Sequence, residues 1–187
     1  MRSEQSSLRF LFVVQGEGRG HMTQAIALSS ILREAGHEVS RVVLGRSAQR
    51  EIPEFFKESI GSEILELESP NFITGKDDKS VLLFRSIFVA ITRIRTYLKS
   101  IRRLNQVIIQ DQPDVIINFY DFIAGLAFMS KKPTAKCVCI AHQYLADHSS
   151  FEFAQGTWAD RKSFSLGNWI TSQKSCLLYT SPSPRDA

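Results

Sequence analysis

The sequence predicts an α/β domain of the doubly wound type, with a mainly parallel, Rossmann-like sheet. Short runs of β-branched and aromatic residues alternate along the chain with amphipathic segments of helical length, which is the pattern of βαβ units. The first run, residues 8–15, reads LRFLFVVQ and lacks polar alternation, as expected of a strand buried on both faces. A glycine-rich turn follows this run directly, and this fold binds ligands at such turns.

The first βαβ unit occupies about 45 residues. Residues 8–15 are predicted to be the central strand. Residues 22–35 carry apolar side chains at helical spacing and end before Gly36, a residue favoured just after a helix. Residues 39–44 are a second apolar run. We therefore expect strand, helix and a neighbouring parallel strand.

The next elements are shorter. Residues 48–58 are predicted to form a short helix with Pro53 near its first turn, where proline is tolerated. A third strand is expected at residues 64–67. Residues 115–119 and 136–141 predict two further strands, separated by a helix at residues 122–129 and followed by helical signal at residues 158–174.

A long amphipathic helix is predicted over residues 80–110. Its apolar positions recur at steps of three and four and are Ile87, Ile91, Ile94, Leu98, Ile101 and Ile108. The other face is basic and carries Arg93, Arg95, Lys99, Arg102 and Arg103. We expect the isoleucine stripe to pack on the sheet and the basic face to be solvated.

The composition excludes several classes of protein. The chain has 187 residues, is 43% hydrophobic and 22% charged, and carries a net charge of +4. These values fit one globular domain and are far from the clustered basic surface of a nucleic-acid binder, so no nucleic acid is expected as a partner. Neither a signal sequence nor a membrane span is recognisable, and we expect a cytoplasmic protein. Cys137 and Cys139 alternate on one predicted strand and are expected to be buried thiols rather than a redox or zinc site.

The last residues, 176–187, break the composition of the chain after Ser175. Residues 176–186 match an in-frame translation of the end of a transposase-based sequencing adaptor. We therefore expect a native fold over residues 1–175 and a non-native tail at residues 176–187. The alternative is a genuine Ser/Pro-rich linker.

The glycine loop GEGRGH at residues 16–21 is the first candidate site. The glycines Gly16, Gly18 and Gly20 allow close backbone approach to a ligand, and free N–H groups at a helix start favour an anion. Three interpretations of this loop can be compared, and one of them, a P-loop, is excluded. A nicotinamide site needs a different glycine spacing and an acidic residue after the second strand, although Arg46 would suit the 2′-phosphate of NADP. A P-loop lacks its Lys-Ser/Thr pair. The third interpretation is a purely structural turn.

A family resemblance favours a different function. The segments GEGRGHMTQAIAL (residues 16–28) and LREAGHEV (residues 32–39) resemble the start of glycosyltransferases of the GT-B fold. The similarity is strongest to the branch of the N-acetylglucosaminyltransferase of lipid-linked peptidoglycan precursor and the plant diacylglycerol galactosyltransferases. ESPNF, PDVIINFY and CIAHQY, at residues 68–72, 113–120 and 139–144, support it by position.

This resemblance implies a division of labour between two domains. The chain would be the N-terminal, acceptor-binding half of a GT-B enzyme and inactive alone, with the C-terminal donor-binding domain absent. The whole enzyme would transfer a sugar from a nucleoside-diphosphate sugar to an unidentified, sugar or lipid-linked acceptor, without metal or other cofactor. A lipid acceptor would place it at the inner face of the membrane, as a peripheral contact. An epimerase of the same fold, an NADP-dependent oxidoreductase and a non-catalytic binding module are the alternatives.

The resemblance also implies roles for individual residues. His21 would face an open crevice as general base for the acceptor hydroxyl or as a donor to an acceptor phosphate. Asp121 would either orient His21 or cap a helix. The remaining candidates for contacts with the acceptor or its phosphate are Gly16, Gly18, Arg19, Gly20, Thr23, Asn71, Asn118, Tyr120, His142, Gln143 and Tyr144.

Overall fold

The computed structural model describes residues 6–47, 50–70, 90–148 and 158–179. The strands are β1 (Arg9–Gln15), β2 (Glu38–Arg46), β3 (Ile64–Glu68), β4 (Val115–Phe119), β5 (Lys136–Ala141) and β6 (Cys176–Tyr179). The helices are α1 (Arg19–Glu34), α2 (Glu54–Ile60), α3 (Ile94–Asp111), α4 (Phe122–Ser130) and α5 (Trp158–Thr171), with a 3₁₀ helix at His142–Asp147.

All six strands form one parallel sheet in the order β3-β2-β1-β4-β5-β6. The predicted α/β fold class with a central first strand is therefore confirmed. The chain proceeds outwards from β1 in one direction through β2 and β3, and in the other through β4, β5 and β6. The connections after β1 and β4 diverge between these two strands, which is where a doubly wound sheet opens a crevice.

Both faces of the sheet are covered by apolar layers. On one face, Phe12 and Leu44 pack with Met22 of α1 and Phe56 of α2. On the other face, Leu11 and Val43 of the strands pack with α3 and α4, which contribute Leu104, Val107, Ile123 and Phe128. Burial on both sides explains why the strands read as continuous apolar runs.

Helix α1 begins earlier than predicted. Gly18 is its N-cap in an extended conformation, so Arg19, Gly20 and His21 lie in the first turn and not in the preceding loop. Pro53 likewise precedes α2 as its N-cap. In both cases the helix starts after a residue that suits a cap or first-turn position.

Only part of the predicted isoleucine stripe faces the core. Ile101 and Ile108 pack against it as predicted, whereas the prediction was wrong for the earlier positions of the stripe, which are exposed. The buried positions of the helix are Tyr97, Ser100, Leu104, Val107 and Asp111. Ile91, Ile94 and Leu98 are 64%, 52% and 44% exposed. Polar residues enter the buried face because they are paired there: Asp111 Oδ2 accepts a 3.0 Å hydrogen bond from Nε of Arg41 on β2. Residues 80–89 of the predicted helix lie outside the described residues.

The edge strand β6 involves residues that were predicted to lie outside the native fold. Its backbone pairs in parallel with β5, with Val138 opposite Cys176 and Ala141 opposite Tyr179. Backbone pairing at a sheet edge does not depend on side-chain identity, so it carries no information on the origin of residues 176–187. The non-native origin of this segment stays a prediction.

The two cysteines of β5 are free and buried, as predicted. Cys139 is fully enclosed and Cys137 is 8% exposed. Burial raises the pKa of the Cys137 thiol to about 11, so the thiol stays protonated and unreactive at neutral pH.

In the described parts of the chain, no helix combines the length and the apolar character needed to cross a membrane.

Candidate functional site

The glycine loop lies at the carboxyl edge of the sheet and is fastened to the end of β2. Gly16 donates its N–H to the carbonyl oxygen of Gly45 at 2.7 Å. The Glu17 carboxylate accepts from the backbone N–H of Ser47 at 2.6 Å. A Cβ atom on Gly16 would stand only 3.1 Å from the Gly45 carbonyl oxygen. Gly16 therefore serves the packing of the loop against β2, and its N–H is not available to a ligand.

The start of α1 is the open part of the loop. Gly18 has no side-chain capping bond, and the first turn contains no acidic residue. A Cβ atom on Gly18 or Gly20 would meet no other atom within 4 Å. Arg19 and Thr23 are exposed beside this space, with the Thr23 hydroxyl donating to the Arg19 carbonyl oxygen at 2.7 Å. Uncapped amides at a helix N-terminus together with a guanidinium group suit an anion.

His21 is buried, and the prediction that its ring faces an open crevice was wrong. The residue is 3% exposed. Its imidazole lies between the Tyr120 ring, at a centroid distance of 5.8 Å, and the His142 ring at 6.1 Å, with an interplanar angle of 13° to each. His142 is exposed and stands between the His21 ring and solvent. The extra helical turn explains the burial, because helical side chains incline towards the N-terminus and here over the ends of β4 and β5.

Three polar atoms of the His21 environment lack a hydrogen bond of good geometry. His21 Nε2 is 3.0 Å from Nε2 of Gln143. Since the amide nitrogen can only donate, this bond places the ring proton on Nδ1. His21 Nδ1, Gln24 Oε1 and Gln143 Oε1 are buried without a hydrogen bond of good geometry. The Gln24 side chain nevertheless lies close enough to the imidazole to favour its protonated form, so Nδ1–H and the Gln24 oxygen are a loosely matched donor and acceptor.

The His21 imidazole is neutral at physiological pH. Burial and, to a smaller extent, the nearby His142 together lower its pKa from 6.5 to about 4, against the opposing effect of the Gln24 side chain. A neutral ring can accept a proton, but one with a lowered pKa is a weak base and holds the proton only briefly.

Asp121 caps α4, and this interpretation is confirmed. Its Oδ1 accepts from the N–H of Ile123 at 2.8 Å. Both nitrogens of His21 are accounted for above, and neither is bonded to Asp121. The side chain that hydrogen-bonds to a ring nitrogen of His21 is that of Gln143, so Asp121 does not orient His21 in this structure.

Burial raises the pKa of Asp121 from 3.8 to about 6. The folded chain binds this proton more tightly than the unfolded chain, so the carboxyl group makes folding less favourable as pH rises from about 4 to about 6. Asp121→Asn keeps the capping oxygen and removes the charge. We expect the variant to equal the wild type near pH 4 and to exceed its free energy of unfolding by about 2 kcal/mol at pH 7. Urea unfolding at the two pH values measures this. A difference that does not change with pH would contradict the assignment.

Asn118 is used entirely within the fold. It is fully buried, and its Nδ2 donates to the carbonyl oxygens of Asp121 and Thr171 at 3.1 and 3.0 Å. Its Oδ1 accepts from the N–H of Asp121 at 2.8 Å. These bonds fix the turn after β4, in which Tyr120 adopts a φ of 61°. A non-glycine residue in this region is strained and persists only where its surroundings hold it. Asn118 therefore stabilises the turn that supports the site, and its buried side chain does not line the surface of the site.

The two tyrosines are also buried. Tyr120 is 5% and Tyr144 is 1% exposed, and they pack with Cys139 and Ala141. The Tyr144 hydroxyl donates to Oγ1 of Thr171 at 2.9 Å. Of the candidates on the β5 side, His142 is exposed and Gln143 is half-buried. These two, together with the start of α1, are the predicted residues that reach the surface of the site. Asn71 lies outside the described residues.

Sequence reasoning missed the contribution of α5. Asn168 is 2% exposed and hydrogen-bonds to Tyr120 and to the 3₁₀ helix. Thr171 bonds to Tyr144. Both are polar residues three positions apart on a helix, hence on one face, and that spacing was the available signal.

No metal site accompanies these residues: the described parts of the chain contain no cluster of three or more His, Cys, Asp or Glu side chains suited to one. A cavity of about 310 Å³ lies elsewhere, between the end of α3 and the segment before β5, and is lined by Ile108, Pro113 and Lys132 among others. Because it is at the amino edge of the strands, it is not part of the glycine-loop site.

Comparison with known proteins identifies the fold. No protein-family model matches the chain, and no curated protein matches it. Among solved structures, Arabidopsis thaliana UGT89C1 complexed with quercetin is similar at a TM-score of 0.52 and 14% identity, over 94% of this chain and 44% of that one. Phytolacca americana UGT2, complexed with UDP-2-fluoro-glucose and pterostilbene, is similar at a TM-score of 0.51 and 14% identity, over 75% of this chain and 32% of that one. The glycosyltransferase SnogD from Streptomyces nogalater has a TM-score of 0.47 and 16% identity, over 94% of this chain and 44% of its own. The chain spans less than half the length of these glycosyltransferases of the GT-B fold. At such identities the match establishes the fold, which is that of one Rossmann-like domain.

Proposed function

We propose that this chain is the N-terminal, acceptor-binding half of a glycosyltransferase of the GT-B fold. The complete enzyme transfers a sugar from a nucleoside-diphosphate sugar to an acceptor hydroxyl, and the donor is bound by a second domain that follows residue 175. The observation that carries the proposal is the uncapped glycine start of α1 beside a neutral imidazole, at the switch point between β1 and β4.

The comparisons support this proposal through what the similar proteins bind. Of the two similar structures with TM-scores above 0.5, UGT89C1 is complexed with quercetin, and UGT2 with UDP-2-fluoro-glucose and pterostilbene. A second structure of UGT89C1 contains UDP-L-rhamnose. A nucleotide-sugar donor and a hydroxyl-bearing acceptor are therefore the ligand classes we propose for the complete enzyme.

In this proposal His21 Nε2 is the general base. Gln143 donates an N–H to Nε2, which keeps the lone pair of this nitrogen free of a proton. An acceptor hydroxyl is also a donor, so it can replace the amide without changing the tautomer of the ring. As the hydroxyl oxygen bonds to the anomeric carbon, its proton passes to Nε2 and the nucleoside diphosphate leaves. The amides of Arg19 and Gly20 then face the developing negative charge, or a phosphate of the acceptor.

An NADP-binding function has less support from the geometry. Arg46 was the residue suited to a 2′-phosphate, and its Nε donates to Glu66 Oε2 at 2.5 Å. Its NH1 group also donates to the carbonyl oxygen of Ser47 at 3.1 Å. A phosphate at this position would have to compete with the Glu66 carboxylate for the guanidinium group and would be repelled by it.

The experiment is an assay of the chain continued through its native coding sequence beyond residue 175. The purified protein is incubated with radiolabelled nucleoside-diphosphate sugars and a membrane or sugar extract, and the label is followed into products. We expect transfer to an acceptor by the extended protein and none by the 187-residue chain. Conversion of the donor into its epimer, without transfer, would replace this proposal by an epimerase, and tight NADP binding by an oxidoreductase. A coding sequence without a second domain would favour a binding module.

We further propose that three exposed apolar residues, Ile94 and Leu98 of α3 and Ile91 just before it, contact an anionic membrane surface next to a lipid-linked acceptor, at the inner face of the membrane. The three side chains recur at helical spacing and are about half exposed or more. Exposed basic residues, including Arg95, Lys99 and Arg102, lie on the same helix. An apolar stripe bordered by cations is the pattern of helices that lie in a membrane interface.

Vesicle binding tests the membrane contact. The chain is expected to co-sediment with vesicles containing 30% phosphatidylserine several-fold more than with neutral phosphatidylcholine vesicles, by about 1 kcal/mol for each engaged cation. Ile94→Ser with Leu98→Ser should remove most of this binding. Ile31→Ser on α1 is the matched control, because Ile31 is 59% exposed but lies on another helix. Equal losses in both variants, or equal binding to the two vesicle types, would reject the contact.

A further inference from the structure

A single buried side chain on α5 holds the surroundings of His21. Asn168 is 2% exposed. Its Nδ2 donates to the backbone carbonyl of Gln143 at 3.0 Å and to Oδ2 of Asp147 at 2.8 Å. Its Oδ1 accepts the hydroxyl hydrogen of Tyr120 at 2.7 Å. The amide thus uses both of its N–H groups and its oxygen on three partners, and a buried amide satisfied in this way is fixed in one orientation.

The partners of Asn168 are the residues that contact the His21 ring. Tyr120 stacks on one face of the imidazole, and the Gln143 side chain meets Nε2 in the plane. Asp147 is the last residue of the 3₁₀ helix that begins at His142, so Asn168 also fastens that short helix at its far end. Through these bonds Asn168 fixes residues that contact the His21 ring, although Asn168 does not contact the ring itself.

We propose that Asn168 is the positioning residue of His21: it holds Gln143 against Nε2 and Tyr120 against the ring face, and so keeps the imidazole in one orientation and one tautomer. Its importance for catalysis rests on the proposed function, whereas its effect on the ring does not. This places α5 among the elements that build the site.

The geometry explains why an amide is suited to this position. A carboxylate at residue 168 would have no N–H for Gln143 and Asp147 and would repel the Asp147 carboxylate. An alanine would leave the Tyr120 hydroxyl, the Gln143 carbonyl and the Asp147 carboxylate without their partner. In either case Gln143 and Asp147 of the 3₁₀ helix lose their bonds to Asn168, although the Tyr144–Thr171 bond remains, and the Gln143 side chain is less firmly held at Nε2.

Imidazole NMR of the 187-residue chain tests the proposal without substrate. Long-range ¹H–¹⁵N correlation spectra report the tautomer and pKa of His21. In the wild type we expect the Nδ1–H form and a pKa near the lowered value of about 4. In Asn168→Ala the ring gains solvent, so its pKa should rise by about one unit or more towards 6.5, with a mixture of tautomers. The variant does not substitute the other titratable side chains near the ring, which are His142, Tyr120 and Asp147.

Two further variants separate positioning from general destabilisation. Thr171→Val removes the bond to Tyr144 from the same helix face and should leave the His21 signals unchanged. Asn168→Asp should shift them as alanine does, because a carboxylate also has no N–H for Gln143 and Asp147. This variant also serves if the alanine variant does not fold.

The proposal is overturned if the folded Asn168 variants keep the wild-type tautomer and pKa, or if Thr171→Val shifts them equally. In the extended enzyme the acceptor replaces the Gln143 amide at Nε2, but the ring still depends on Tyr120, which Asn168 holds. Asn168→Ala should therefore lower kcat about tenfold with KM changed less than twofold, the mark of a lost transition-state interaction. If the extended enzyme transfers no sugar but the Asn168 variants still change the tautomer and pKa of His21, the proposed function is wrong and the positioning role holds.

Discussion

Replacing His21 by alanine is expected to lower the kcat of the extended enzyme by about 100-fold or more, because loss of a general base typically costs two to four orders of magnitude. KM for the nucleotide sugar should change little, since the donor binds to the other domain. His21→Gln, which retains a polar side chain that cannot take up a proton, should show a similar loss. Initial rates with the labelled donor measure both values.

The pH dependence sharpens this result. A base is active when it is unprotonated, and the lowered pKa of about 4 keeps His21 neutral above about pH 5. The rate should therefore not fall through protonation of His21 between pH 8 and pH 5.5, as it would for a ring with an ordinary pKa. His37→Ala is the matched control: this imidazole accepts from the N–H of Leu8 at 3.3 Å, at the opposite end of β1. A loss below about threefold in His21→Ala would reject the base role.

Gly45→Ala is expected to lower the free energy of unfolding of the chain by about 3 kcal/mol, the cost of overpacking against groups that cannot retreat. Its Cβ atom would stand 2.6 Å from Cγ of Asp121 and 2.9 Å from Cβ of Ser69, and closer still to the Asp121 carboxylate. Asp121 is held there as the cap of α4. The Gly45 carbonyl also accepts the bond that fastens the glycine loop, so the variant disturbs the site as well as the core. Urea unfolding at pH 7 gives the difference.

Two variants test the cause of this loss. Gly20→Ala adds the same methyl group where nothing lies within 4 Å, and in a helix it should change stability by less than about 1 kcal/mol, in the stabilising direction. Asp121→Ser shortens the cap while preserving an acceptor oxygen. Combined with Gly45→Ala it should recover at least about 1 kcal/mol relative to additivity. Strictly additive effects would show that the carboxylate is not the obstacle.

The architecture was predictable from local sequence because each buried strand and each amphipathic helix shows its own periodicity. The run at residues 8–15, the glycine after α1 and the alternating Cys137 and Cys139 led to a doubly wound parallel sheet with β1 at its centre. The location of the candidate site followed as well, because the fold class places ligands at the carboxyl edge of such a sheet. Chemistry-bearing residues there, from Gly18 to His21 and from His142 to Gln143, could be named from their position after a strand.

Orientation and burial at this edge could not be predicted, since they depend on which elements from distant parts of the chain meet there. The buried face of α3 includes Asp111, which is paired with Arg41, 70 residues away in sequence. Tyr120, separated from Asn168 by 48 residues, became buried because α5 covers it. His21 became a buried, neutral ring because Tyr120 and His142 stack on its two faces. By itself the sequence determined the fold, the edge of the sheet and the residue types gathered there. Only the tertiary structure decided which of them are buried, what each polar atom is paired with and which proton His21 carries, because these properties arise from long-range contacts that no local periodicity encodes.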